Sequence, residues 1–223
     1  SQYNKQYLLK KYGKALESKI HIIHCGIDVE KFRPRAAKKG TVPIILAVGE
    51  LTELKGFTYL VEACSIMKKN GYSFKCLVVG EGEDREVLNR KSSSVRVDDI
   101  VVFLGRQLQE KVLKLLEATT IFCLPSIITD KGGREGIPVA LMEAMAMELP
   151  VVSTRTVGIP ELIGHQREGL LVPQKDPVSL ASALEKLLDN KELRIAMGSA
   201  ARKKVMKDFN IANIPKSFET IFG

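Results

Sequence analysis

The chemistry in this sequence is concentrated between Gly133 and Ala146, in the run Gly-Arg-Glu-Gly-Ile-Pro-Val-Ala-Leu-Met-Glu-Ala-Met-Ala. Two carboxylates, Glu135 and Glu143, are separated there by seven residues. The first lies in a glycine-rich loop and the second in a strongly helical run. Pro138 suits the first helical turn, where its missing N–H is not needed. Gly136 lets the backbone come close to a bound group. A helix N-terminus whose free amides face a loop is a ready site for an anion. Glu143, about one and a half turns into the helix, reaches a different part of the same ligand. Phosphate at the amides and hydroxyls at the carboxylates point to a phosphorylated sugar or a nucleotide sugar.

The elements that must carry this site alternate between strand and helix. Pro43–Val48 is a continuous apolar run ending at Gly49, as expected of a parallel strand buried on both faces. A helix is predicted from about Gly56 to Asn70, with Leu60, Ala63, Cys64 and Met67 on one face. Further strands are predicted at Phe74–Val79, Ile100–Leu104, Thr119–Leu124, Pro150–Ser153 and Gly169–Val172, with a helix over 109–117. After Pro173 the chain reads as helical, over 176–189, 191–207 and a last short helix in 210–222. The first 19 residues read as a basic helix leading to a short strand at Ile20–Ile23. The alternation argues for a doubly wound parallel α/β sheet of Rossmann-like type. Such sheets bind ligands at the carboxyl ends of their strands, where Gly49, Gly80, Pro125, Ser126 and Thr154–Gly158 all fall.

Composition narrows the field. With 223 residues and 45% hydrophobic content the chain can bury a full core. No apolar run approaches the ~20 residues that span a bilayer, and Ser1–Lys5 lacks signal-peptide character. The expected place is the cytoplasm. Four scattered cysteines read as buried free thiols. The net charge is +8, with basic clusters at Lys5, Lys10, Lys11 and Lys14 and at Arg202, Lys203, Lys204 and Lys207. These read either as solvated helix faces or as a surface for an anionic partner, including the inner face of a membrane. Aromatic residues are only 6% and do not interleave with the basic ones, so nucleic acid is not an expected partner. His21, His24 and His165 lack metal-ligand spacing and no Asp-x-Asp pair is present, so no metal is implied. No nucleophile elbow is visible. Gly80-Glu81-Gly82-Glu83-Asp84-Arg85 lacks the third glycine of a dinucleotide fingerprint and brings acids that oppose a pyrophosphate.

The Glu-x7-Glu segment resembles the donor-site motif of retaining glycosyltransferases with the GT-B fold, in particular the large family four. Other segments similar to that family's C-terminal half follow in order: His24–Asp28 with Phe32-Arg33-Pro34, Val48–Leu51 with Lys55-Gly56, Val79–Gly82, Gly158–Ile163 and Gly169–Pro173. The resemblance implies a donor-binding domain over 25–207. It implies that 1–24 ends a preceding domain and that 208–223 packs back on that domain. It implies a nucleotide-sugar donor such as a UDP-sugar or GDP-sugar, no further cofactor, and a glycan or lipid-linked acceptor.

Residue by residue, the resemblance gives Glu143 the ribose hydroxyls, which suit an acceptor-only carboxylate. Glu135 would contact the donor sugar; its other reading is a carboxylate capping the helix N-terminus. Lys55 would pair with the diphosphate. Gly136, Ile137 and Pro138 would bring backbone to the distal phosphate, Gly49 would line the phosphate side, and Gly82 would keep the second-strand loop clear of the base. At Glu50 the sequence departs from the pattern, since the family usually carries arginine there. Either another cation substitutes, with Arg106 and Lys131 as candidates, or Glu50 points away, or donor binding is weakened. The last alternative leaves a second class open: a nucleotide-sugar-binding partner subunit without catalysis.

Overall fold

The structure is a computed structural model describing residues 1–35 and 40–222. Its centre is a six-stranded, all-parallel sheet of β1 (Ile44–Val48), β2 (Lys75–Val79), β3 (Val101–Phe103), β4 (Ile121–Leu124), β5 (Val151–Thr154) and β6 (Gly169–Val172). The strand order is β3-β2-β1-β4-β5-β6. Ile45, Leu46 and Ala47 are fully buried because β1 has a strand on each side and helices on each face. The apolar runs of the sequence thus become the central strands. The edge strand β3 is short, and Val102 faces solvent, which blunts an exposed edge.

Helices cover the two faces. Right-handed crossovers put α2 (Phe57–Lys69), α3 (Arg85–Ser94) and α7 (Pro177–Asp189) on one face, where α2 packs against both others. The other face holds α4 (Gln109–Ala118), α5 (Val139–Ala146) and α8 (Lys191–Asp208), while the short α6 (Ile159–Leu162) joins β5 to β6. Leu60, Val61, Cys64 and Met67 of α2 are fully buried, and full burial of one such leucine contributes about 1.5–3 kcal/mol. Gly198 brings α8 against the Glu148 carbonyl, and Arg202 Nη1 donates to the Ala146 carbonyl at the end of α5.

Both termini differ from the sequence reading. The first helix, α1 (Gln2–Tyr12), stops at Gly13, whose φ of 100° breaks it, and a 3-10 turn follows at Lys14–Lys19. Ile20–Ile23 runs without strand pairing; the bridge in this region is Ile27 with Asn210. No strand lies beside it to supply a ladder. The C-terminal stretch splits into a 3-10 turn, Ile211–Asn213, and α9 (Ile214–Phe222). Helix α3 was not anticipated, because it is polar and buries only Leu88 and Ser92. Cys64, Cys76 and Cys123 are buried free thiols, as expected, but Cys25 is exposed, since its segment lies on the surface.

One glycine carries a structural prediction. Gly56 ends the 3-10 turn Glu53–Lys55 with φ 68°, and a Cβ there would overlap the Pro125 carbonyl. Gly56→Ala is expected to destabilise the fold by about 1–2 kcal/mol from the left-handed backbone alone, with the overlap adding to it. A urea midpoint that does not fall would contradict this contact.

Candidate functional site

β1 and β4 are neighbours, yet their connections leave in opposite directions. The crevice between their carboxyl ends is the topological switch point, where open α/β sheets take ligands. The loop after β1 carries Gly49, Glu50 and Lys55; the loop after β4 carries Ser126 and Glu135 and runs into α5. Ile127 N–H donates to the Leu54 carbonyl at 2.9 Å, joining the two loops.

Lys55 and Glu135 meet across this crevice. Lys55 Nζ bonds Glu135 Oε1, and each side chain is only 16% exposed. Ser126 Oγ donates to the second oxygen, Oε2, at 2.7 Å. Ser126 is itself held, since Thr154 Oγ1 donates to its carbonyl. Gly49 passes beneath the lysine: a Cβ there would stand 3.3 Å from Lys55 Cδ and Cε. Glu135 therefore does not cap α5. Pro138 occupies the N-cap position, one residue before the first helical turn, and gives no side-chain cap bond. The amides of Gly136, Ile137, Val139 and Ala140 have no hydrogen-bond partner among the described residues. A Cβ on Gly136 would meet nothing within 4 Å, so the backbone there faces open space.

Glu143 sits in α5 between buried neighbours Met142 and Ala144. Burial pushes its carboxyl up to about 7, and the nearby Lys31 charge partly opposes that. Lys31 was not singled out from the sequence. Its ammonium bonds Gln109 Oε1 at the start of α4, on a turn that Asp28 holds by accepting from the amides of Glu30 and Lys31. Ser126 was noted only for its position at a strand end. The Pro-Ser pair directly after a buried strand was the available signal.

The remaining candidates separate. Glu50 is exposed at the crest of its loop, whose backbone is pinned by Leu51 N–H to the Glu81 carbonyl at 2.9 Å. Gly82 serves that same pinning, because a Cβ there would overlap the Leu51 carbonyl. Arg106 and Lys131 are exposed, and neither is bonded to Lys55, Glu135 or Glu143. Arg106 follows β3, two strands from the switch point. Among the described residues no three His, Cys, Asp or Glu side chains gather as metal ligands.

A doubly wound parallel sheet with a lysine–carboxylate pair and a free helix end at its switch point defines the class, an α/β domain of Rossmann type. The chain matches the family model described as glycosyl transferases group 1 over residues 28–204, and it belongs to that family. The amylovoran biosynthesis glycosyltransferase AmsK of Erwinia amylovora is 40% identical over 193 residues, covering 86% of this chain and 47% of that protein. The putative colanic acid biosynthesis glycosyltransferase WcaL of Escherichia coli is 39% identical over 205 residues, with 91% and 50% covered. The crystal structure of Anabaena HepE in complex with UDP superposes with a TM-score of 0.87 at 18% identity, covering 99% of this chain and 61% of that one. HepE is also similar in its complex with UDP-glucose, at a TM-score of 0.85 and 19% identity. The fold is that of the GT-B glycosyltransferases. The chain spans about half the length of the relatives it matches.

Proposed function

We propose that this chain binds a nucleoside-diphosphate sugar and that the protein containing it transfers the sugar, with retained configuration, to a glycan or lipid-linked acceptor. The observation that carries this is the Lys55–Glu135 pair at the β1/β4 switch point, beside four free amides at the entry to α5, with Glu143 about one turn into that helix. In this reading the diphosphate takes Lys55 and the amides before α5. The ribose diol donates to Glu143. Glu135, released from Lys55, turns to a sugar hydroxyl. Lys55 and the helix end then stabilise charge on the departing diphosphate, where fixed donors in a partly dry crevice act most strongly. Glu135 is not assigned as a nucleophile.

The UDP and UDP-glucose complexes of HepE support a nucleotide-sugar ligand, and the names of AmsK and WcaL support a glycan product. No described helix is long and apolar enough to cross a membrane. Lys10, Lys11 and Lys14 near one end and Lys203 and Lys207 near the other are exposed, and they favour the inner face of an anionic membrane as the place of work. Glu50 supports a second reading, a nucleotide-sugar-binding subunit without transfer, because it sets an exposed carboxylate on the phosphate-side loop. The two separate in an assay of the whole protein with nucleotide sugar and a bacterial glycan acceptor. Product whose NMR spectrum shows the donor's anomeric configuration supports transfer with retention. Donor binding without product supports the second reading, and inverted product contradicts the first.

A further inference from the structure

The loop that carries Glu135 is fastened at a point away from the crevice. Its base closes on itself: Thr129 N–H donates to the Gly133 carbonyl and Gly133 N–H to Thr129 Oγ1, both at 2.9 Å. Arg134 then leaves the loop and reaches α1. Its Nη1 donates to the Tyr3 hydroxyl at 3.0 Å, and its guanidinium lies 4.9 Å from the centre of the Tyr7 ring. Arg134 Nε also donates to the Gly132 carbonyl at 3.2 Å, so the same side chain grips both loop and helix.

Helix α1 is in turn anchored from the donor side. Glu161 of α6 accepts from the amides of Gln2 at 2.9 Å and Tyr3 at 3.1 Å, and His24 Nε2 lies 3.2 Å from the same carboxylate. Partial burial alone would raise the Glu161 carboxyl, yet these donors hold it below its ordinary value. A carboxylate at a helix N-terminus also meets the positive end of the helix dipole. Gly158, just before α6, presses on the site itself, since a Cβ there would stand 2.9 Å from Ile137 Cγ1. Glu161 and Arg134 thus tie α1 to the two segments that frame the free amides.

We propose that Arg134 is a positioning residue for Glu135, working against α1 as an anchor that Glu161 holds in place. The inference rests on the donor-site reading and adds to it. Glu135 has to leave Lys55 and find a sugar hydroxyl. A loop pinned one residue away restricts where that carboxylate can go. Release of Glu135 from Lys55 is common to diphosphate and conjugate, so the clasp's action on the sugar is read in the ratio of the two affinities.

The test is calorimetric titration of the chain with UDP, GDP and ADP and with their glucose conjugates, in wild type, Tyr7→Leu and Tyr7→Phe. Stacking of an arginine on an exposed aromatic ring corresponds to about a two- to fivefold effect. Tyr7→Leu is expected to lower the ratio of conjugate affinity to diphosphate affinity by that factor, and Tyr7→Phe, which keeps the ring, to restore it. Arg134→Lys keeps the cation and is expected to retain more of the ratio than Arg134→Ala. An unchanged ratio in Tyr7→Leu would overturn the clasp while leaving the donor site intact. Wild type that binds none of the six compounds would overturn the donor-site reading instead. Amide exchange over 129–137 would then decide the clasp: faster exchange in Tyr7→Leu supports it, and unchanged exchange overturns it.

Discussion

Glu143→Ala is expected to weaken binding of the preferred nucleoside diphosphate by roughly 10- to 150-fold, the loss of about 1.5–3 kcal/mol attached to a charge-assisted hydrogen bond. The carboxylate is positioned for this by α5, whose buried face fixes the helix and leaves Glu143 half-buried beside Lys31. The effect also has a pH signature. The ionised form accepts from both ribose hydroxyls, and in the ligand-free protein the group titrates at about 7. Affinity is therefore expected to rise about tenfold from pH ~6 to pH ~8, following the ionised fraction, and the slope should vanish in Glu143→Gln. For folding the sign is the reverse. A carboxyl raised in the folded state contributes stability fully below its unfolded pKa, and that contribution is lost as pH rises through about 7. Titrations across this range check both. A flat affinity profile in wild type would remove Glu143 from the ligand.

Lys55 and Glu135 give the second large effect, with opposite signs. Lys55→Met removes the cation and is expected to weaken diphosphate binding by about 1.5–3 kcal/mol, while leaving the parent nucleoside unaffected. Glu135→Gln removes the carboxylate that occupies Lys55 in the free protein. It is expected to tighten binding of the nucleoside diphosphate while impairing transfer of the sugar. Two variants of one ion pair that shift diphosphate affinity in opposite directions separate a competing carboxylate from one that merely stabilises the fold. Equal weakening by both would contradict the competition.

The sheet was legible because its central strands are continuous apolar runs with glycine or proline at their ends. The apolar runs Ile44–Val48 and Ile121–Leu124 point to burial, and the structure fully buries Ile45–Ala47 and Ile121–Leu124. The spacing of Glu135 and Glu143 was legible for the same local reason, as a loop running into an apolar helix. The Lys55–Glu135 pair was not, because eighty residues separate them and only the strand order brings β1 beside β4. Lys31 was hidden likewise: its relation to Glu143 depends on the turn at Asp28 and on α4, not on any pattern along the chain. Helix α3 escaped because a polar helix shows little periodicity. Ile20–Ile23 misled because an apolar run predicts burial, while a strand also needs a neighbour to pair with.

The central claim is that the β1/β4 crevice is a nucleotide site. Calorimetric titration of the chain with UDP, GDP and ADP, beside Glu143→Ala, tests it most directly. The account predicts saturable binding of one nucleotide, with one site per chain and a loss of about tenfold or more in the variant. Binding that Glu143→Ala leaves unchanged, or no binding of any of the three, would contradict it.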